Sequence, residues 1–138
     1  MRHETIDRHG TDAQRAEFMP KIVRGECHFA LSLTEPDGGT DILGAMKTTA
    51  RPDGDGRYVI NGSKIYTTGL NIASHVFVVA RTSRDEKKPS AGLTVFLVPR
   101  DTPGISFHKL RKLGSRFLHS YEVSYQDVRV PASSVPMS

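Results

Sequence analysis

From Phe29 onward, apolar and polar residues alternate with the period of a pleated strand. The pattern predicts strands at Phe29–Leu33, Lys47–Arg51, Arg57–Lys64, His75–Arg81, Leu93–Val98, Ile105–Leu110 and Tyr121–Val130. Turn chemistry separates them. Asp53-Gly54-Asp55-Gly56 reads as a hairpin turn, Asn61-Gly62 as a second and Thr102-Pro103-Gly104 as a third. Short strands at this spacing indicate a mainly β, closed or sandwich-like architecture. In the last strand, Tyr121, Val123 and Tyr125 share one face, whereas Val128 and Val130 fall on the opposite parity. A bulge or bend near Gln126-Asp127 would return all of them to one side. Pro131 and Pro136 then end the pairing.

Ahead of the strands, a short helix is predicted over Thr11–Val23, capped by Thr11 or Asp12 after Gly10. Pro20 is expected to interrupt it. The residues before that helix show no apolar partner of their own, as in the tail of something larger. Arg84–Pro89 reads as a solvated loop, and the sequence has no internal repeat.

Composition narrows the function classes. The 138 residues suffice for one hydrophobic core. The net charge of +4 is dispersed, with no basic block or aromatic-interleaved stripe, so no nucleic-acid partner is expected. Cys27 is the sole cysteine, which excludes an intrachain disulfide and favours a reducing compartment. With no apolar leader at the N-terminus, the cytoplasm is the expected location. The longest apolar run, Val76–Ala80, is too short for a membrane span.

Several candidate sites fail on chemistry. Asp53-x-Asp55 resembles the start of a calcium loop, but Arg57 and Lys64 occupy the next and closing ligand positions. His3, His9, His28, His75, His108 and His119 have no metal-binding spacing, so no metal is expected. No nucleophile elbow, dinucleotide fingerprint or P-loop occurs. Two stretches remain. In Leu31-Ser32-Leu33-Thr34-Glu35-Pro36-Asp37-Gly38-Gly39-Thr40-Asp41, a strand ends at Thr34 and two glycines permit close backbone approach. Their N–H groups and the Thr40 hydroxyl could form an anion-binding concavity, or the segment is a Gly-rich loop between strands. In Asn61-Gly62-Ser63-Lys64-Ile65-Tyr66-Thr67-Thr68-Gly69, hydroxyls and an aromatic ring could meet a planar heterocycle, or Tyr and Thr are there as strand formers.

Together these stretches resemble the acyl-CoA dehydrogenase family. Thr34–Asp41 is similar to its T-E-P-x-[AG]-G-[ST]-D loop. Ile60-Asn61-Gly62-Ser63-Lys64 is similar to its I-N-G-x-K strand, and Tyr66-Thr67-Thr68 to the aromatic-x-[ST] segment that follows. Further matches are Phe96-Leu97-Val98, Asp101–Ile105, Leu113-Gly114-Ser115-Arg116 and Asp127–Pro131.

The resemblance implies a middle-domain-like β-barrel with a short N-terminal helix. On it, residues 1–28 are the end of an N-terminal helical domain, 29–131 the middle domain and 132–138 the start of a linker to a C-terminal helical domain that is missing. It implies FAD as cofactor, with Leu31, Leu33, Thr34, Tyr66, Thr67 and Thr68 on the flavin side. Gly39 and Thr40 fall beside the pantetheine–pyrophosphate arm of an acyl-CoA substrate. Tyr66 stands where the family commonly has Trp or Phe, Thr40 where Ser is commoner, and Gly69 where Asn is frequent.

The implied reaction is α,β-dehydrogenation of an acyl-CoA thioester, with electron-transfer flavoprotein or a similar acceptor and a homotetrameric full-length enzyme. The family's base is usually a glutamate of the C-terminal domain. Glu35 is read as structural, no residue is assigned as catalytic, and this chain is expected to be inactive by itself. An acyl-CoA oxidase or flavin monooxygenase of the same fold, and a non-catalytic assembly domain, are the alternatives.

Overall fold

The computed structural model describes residues 2–135. Two helices, α1 (Arg2–His9) and α2 (Asp12–Val23), precede β1 (Phe29–Ser32), β2 (Thr49–Pro52), β3 (Arg57–Thr68), β4 (His75–Arg81), β5 (Leu93–Pro99), β6 (Ile105–Lys109) and β7 (Ser120–Pro131). Every strand expected from alternation is present, within a few residues at its ends. A short 3-10 turn, Ala132–Ser134, follows. Pro136 and the His3 side chain lie outside what is described.

The strands form one mixed sheet in the order β1-β4-β2-β3-β7-β6, with β5 on the other edge of β4. It curls into a half-barrel. β1 and β2 share one edge of β4: β1 pairs parallel with His75 to Val78, and β2 touches at Thr49 and Arg81. Strand β4 is packed on both faces, by the main core on one and by a cluster under the helices on the other, which explains its unbroken apolar run. Val76, Val78 and Ala80 join Ile60, Phe96, Val98, Tyr121, Val123, Tyr125, Val128 and Val130 in the main core. Phe77 turns the other way and meets Ile6, Phe18, Cys27, Phe29 and Leu97 beneath the helices.

That second cluster corrects the reading of the N-terminus. Residues ahead of Gly10 form α1, and its Ile6 is fully buried against α2 and the sheet. A single apolar residue in an eight-residue polar helix carries too little periodicity to be seen in sequence. Helix α2 begins as expected, with Thr11 as N-cap in a capping box with Gln14. Pro20 does not interrupt it; the helix continues to Val23. The proline removes one backbone donor near the end, and Gly25 then closes the helix in the left-handed conformation. Gly25 N–H donates to Ile22 O and Glu26 N–H to Lys21 O, which satisfies the last carbonyls, and the one bond Pro20 cannot make is that to the carbonyl of Ala16.

Two of the three expected hairpin turns are also corrected. Asp53–Gly56 does join the antiparallel pair β2–β3. Thr102-Pro103-Gly104 makes a turn, but β6 pairs with β7 and not with β5. Asn61-Gly62 is no turn at all: it lies inside β3, opposite the bulge of β7. There Ile60 faces Val128 while Gly62 faces Tyr125, so β7 carries one extra residue at Gln126-Asp127, as its parity required. Asp127 sits at φ 48°, and its amide and carboxylate bond both ends of the Asn61 side-chain amide.

Candidate functional site

A second register shift builds the site. Lys64 faces Val123 and Thr67 faces Tyr121, so here the extra residue is on β3. Tyr66 absorbs it at φ 61°, an uncommon and strained conformation for an aromatic residue. Inward parity along β3 runs through Tyr58, Ile60, Gly62 and Lys64, and would continue to Tyr66 and Thr68. The bulge reverses it. Tyr66 projects outward with 62 % of its surface exposed, Thr68 follows half-buried, and Thr67 turns fully inward.

The two sequence stretches meet at this bulge. Ile65 N–H donates to Thr34 O at 2.8 Å, and Lys64 Nζ donates to Leu33 O at 3.0 Å. Lys64 also reaches Glu35 Oε1 at 3.1 Å. Both side chains are buried. The other donors to the Glu35 carboxylate are the amides of Lys47 at 2.7 Å and Thr48 at 2.8 Å. Burial pushes Glu35 upward, but the amides of Lys47 and Thr48 and the Lys64 charge together leave its carboxyl below the ordinary value. Burial also lowers Lys64, and the attraction of Glu35 only partly restores it. This carboxylate locks the loop to the sheet and has no face open to a substrate. Its partner Lys64 was missed in sequence, although its parity with Ile60 and Gly62 was a usable signal.

Behind the outward residues lies a buried hydroxyl network. Tyr125 donates to Ser32 Oγ at 2.7 Å, and Ser32 Oγ lies 2.9 Å from Thr67 Oγ1. It joins β1, β3 and β7 directly beneath the exposed wall. Of the residues assigned to a flavin by resemblance, Thr67 therefore presents only its main chain to the outer face. Replacing Tyr125 by Phe is expected to cost about 1 kcal/mol, the net value of one such bond. Urea unfolding would show it as a lower midpoint with an unchanged slope.

The remaining residues take their places around this wall. Leu31 is 40 % exposed and shares a groove with Phe77, Val95 and the α1 residues Thr5, Arg8 and His9. Leu33 and Thr34 are half-buried, and Gly39 and Thr40 are exposed on the following loop. Neither Gly38 nor Gly39 is required by the fold. An added Cβ at Gly39 would meet nothing within 4 Å, and one at Gly38 only ordinary contacts. That open space suits close approach by a ligand. The same loop is tied down at Asp41, whose carboxylate accepts from Gly44 N–H, and by Arg81. The buried Arg81 guanidinium donates to the carbonyls of Met46, Ala91 and Leu43, holding this loop against the β4–β5 connection. Arg81 also was missed in sequence. No metal-holding group of three or more His, Cys, Asp or Glu side chains occurs among the described residues. No helix among them is long and apolar enough to cross a membrane.

A half-barrel wall bearing an outward aromatic, flanking hydroxyls and a Gly-rich loop defines a class of protein as well as a fold. The family model for the acyl-CoA dehydrogenase middle domain matches residues 30–128. Acyl-CoA dehydrogenase FadE29 of Mycobacterium tuberculosis is 39% identical over 127 residues, covering 92% of this chain and 32% of that protein. The crystal structure of acyl-CoA dehydrogenase from Geobacillus kaustophilus superposes with a TM-score of 0.92 at 34% identity, covering 99% of this chain and 36% of that one. A glutaryl-CoA dehydrogenase from Mycobacterium smegmatis, solved in complex with FADH2, gives 0.88 at 34% identity, covering 100% and 34%. This chain belongs to the acyl-CoA dehydrogenase family and carries its middle domain. It spans about a third of the length of the curated relatives it matches.

Proposed function

We propose that this chain supplies one wall of the FAD and acyl-CoA site of an enzyme that dehydrogenates an acyl-CoA thioester between its α and β carbons. The observation that carries the reading is the β3 bulge. It spends backbone strain to turn Tyr66 and Thr68 outward, beside Thr34. An exposed ring and two hydroxyls in that arrangement suit a planar, polar heterocycle. Leu31 and Leu33 add apolar surface, and Thr67 adds main-chain groups only. The chemistry FAD supplies when bound is acceptance of a hydride equivalent from the β-carbon. With FAD bound, Thr34 and Thr68 would offer hydroxyl donors to the ring and Tyr66 would supply an aromatic contact. Gly39 and Thr40 flank the phosphorylated arm of the thioester, where the glycines leave room for it.

Glu35 is not assigned as the base, because it is buried among its three donors. The α-proton is instead taken by a carboxylate outside this segment. Electron-transfer flavoprotein is the proposed acceptor, in a cytoplasmic homotetramer. An oxidase is the second reading. It is favoured by the likeness to a structure described as the prolyl acyl carrier protein oxidase AnaB, with a TM-score of 0.89 at 31% identity.

The test uses the full-length polypeptide. It is expected to purify yellow and to bleach when acyl-CoA is added without oxygen. Thr68→Ala is expected to slow that bleaching about a hundredfold, the usual effect of losing one donor at a charge-developing atom. A colourless full-length protein that takes up no FAD would overturn the reading. Stoichiometric oxygen consumption during turnover would select the oxidase.

A further inference from the structure

The Thr68 hydroxyl is backed by a relay that begins at a cation. Lys112, on the β6–β7 connection, extends Nζ to Ser120 Oγ at 3.2 Å and also donates to Leu118 O. Ser120 Oγ lies 2.9 Å from Thr68 Oγ1, directly across the β3–β7 ladder. The segment is held in place by Gly69 N–H, which donates to His119 O at 2.9 Å. We propose that Lys112 is a positioning residue that fixes the Thr68 hydroxyl as an outward donor, raising the reduction potential of the flavin.

The polarity follows from what each group can do. An ammonium has only donors, so Ser120 Oγ must accept from Lys112. Ser120 is buried, so its own proton has few partners other than Thr68 Oγ1. Thr68 then accepts from Ser120, and its proton is free. Without a ligand it rests on Tyr66 O at 3.3 Å, a long bond that a better acceptor can replace. The chain Lys112–Ser120–Thr68 thus ends in a donor with a cation behind it. A donor of that kind favours the ligand state with more electron density at the bonded atom. Without the cation, Ser120 can accept from Thr68, and the hydroxyl turns inward.

The inference rests on the proposed flavin site, and its test reads potential and not turnover. In the full-length protein loaded with FAD, Lys112→Met is expected to lower the two-electron potential by about 30 mV, a tenfold change in the reduction equilibrium. Lys112→Arg, still donor-only, should restore most of it. Ser120→Ala should produce a shift in the same direction, and adding Lys112→Met to it should change little further. The Lys112 loop is largely exposed, so the two Lys112 variants are expected to keep the wild-type melting temperature, whereas Ser120→Ala, which removes a buried hydroxyl, is expected to melt slightly lower. Equal Lys112→Met shifts with and without Ser120 would show a through-space charge effect and overturn the relay. An unchanged potential in Lys112→Met would also overturn it, leaving the site intact. Failure of the wild-type protein to bind flavin would overturn both.

Discussion

Replacing Glu35 by Ala is expected to lower the unfolding free energy by about 3–5 kcal/mol, the cost of stranding one member of a buried ion pair. The variant leaves Lys64 fully buried with only Leu33 O as a partner, and it orphans the amides of Lys47 and Thr48. Lys64→Met should cost less, because Glu35 would keep both amides while the burial penalty of the ammonium disappears. That order, Glu35→Ala worse than Lys64→Met, is measurable by denaturant unfolding. Equal losses would show that the pair acts through its charge attraction alone.

The pH dependence has a definite sign for each partner. Glu35 is held below its ordinary value of 4.5, so its contribution is present above that pH and fades as pH falls through the lower folded value. Lys64 is held below its ordinary value of 10.5, so its burial penalty is present at neutral pH and is relieved as pH rises toward 10.5. Without Glu35 that penalty grows. The gap between Glu35→Ala and wild type should therefore narrow in alkali, where the stranded lysine can shed its proton.

Gly62→Ala is expected to cost about 3 kcal/mol, at the upper end for overpacking a close contact. In melting temperature this is a drop on the order of 10 °C. A Cβ at this position would stand 2.7 Å from Thr48 Cα and 2.6 Å from Thr48 Cβ, so it meets main chain as well as side chain. Thr48 cannot retreat freely, because its amide is one of the three donors to Glu35. Two outcomes are expected from that coupling. Trimming Thr48 to Gly should rescue Gly62→Ala only in part. Combining Gly62→Ala with Glu35→Ala should cost less than the sum of the two, as for sites sharing one network. Amide exchange in residues 36–46 should quicken in Gly62→Ala if the contact also steadies the Gly-rich loop. A fully stable Gly62→Ala would mean that β3 can move away from Thr48.

Much of the framework was legible because strand periodicity is local. The parity of the inward residues on β7 also marked where a bulge or bend must fall, and the register makes it a bulge. The errors have physical sources too. Asn-Gly inside a strand looks like a hairpin turn until Thr48 is seen crossing it. Pro20 looks like a break, but it forfeits only one bond of the last turn and the helix runs on to Val23 before Gly25 closes it. Ile6 gives no pattern by itself, yet it finds a pocket under β1, β4 and β5.

The sequence alone determined the strand set, the Gly-rich loop after β1, the aromatic-Thr-Thr segment and the family these resemble, because each is written in contiguous residues. Only the tertiary structure decided which way that segment faces. Parity along β3 places Tyr66 and Thr68 inward with Lys64, and a single extra residue turns them out while sending Thr67 to Ser32. Nothing local announces that slip. It is enforced by β7 on one side, where Lys64 and Thr67 must meet Val123 and Tyr121, and by the Thr34 carbonyl on the other.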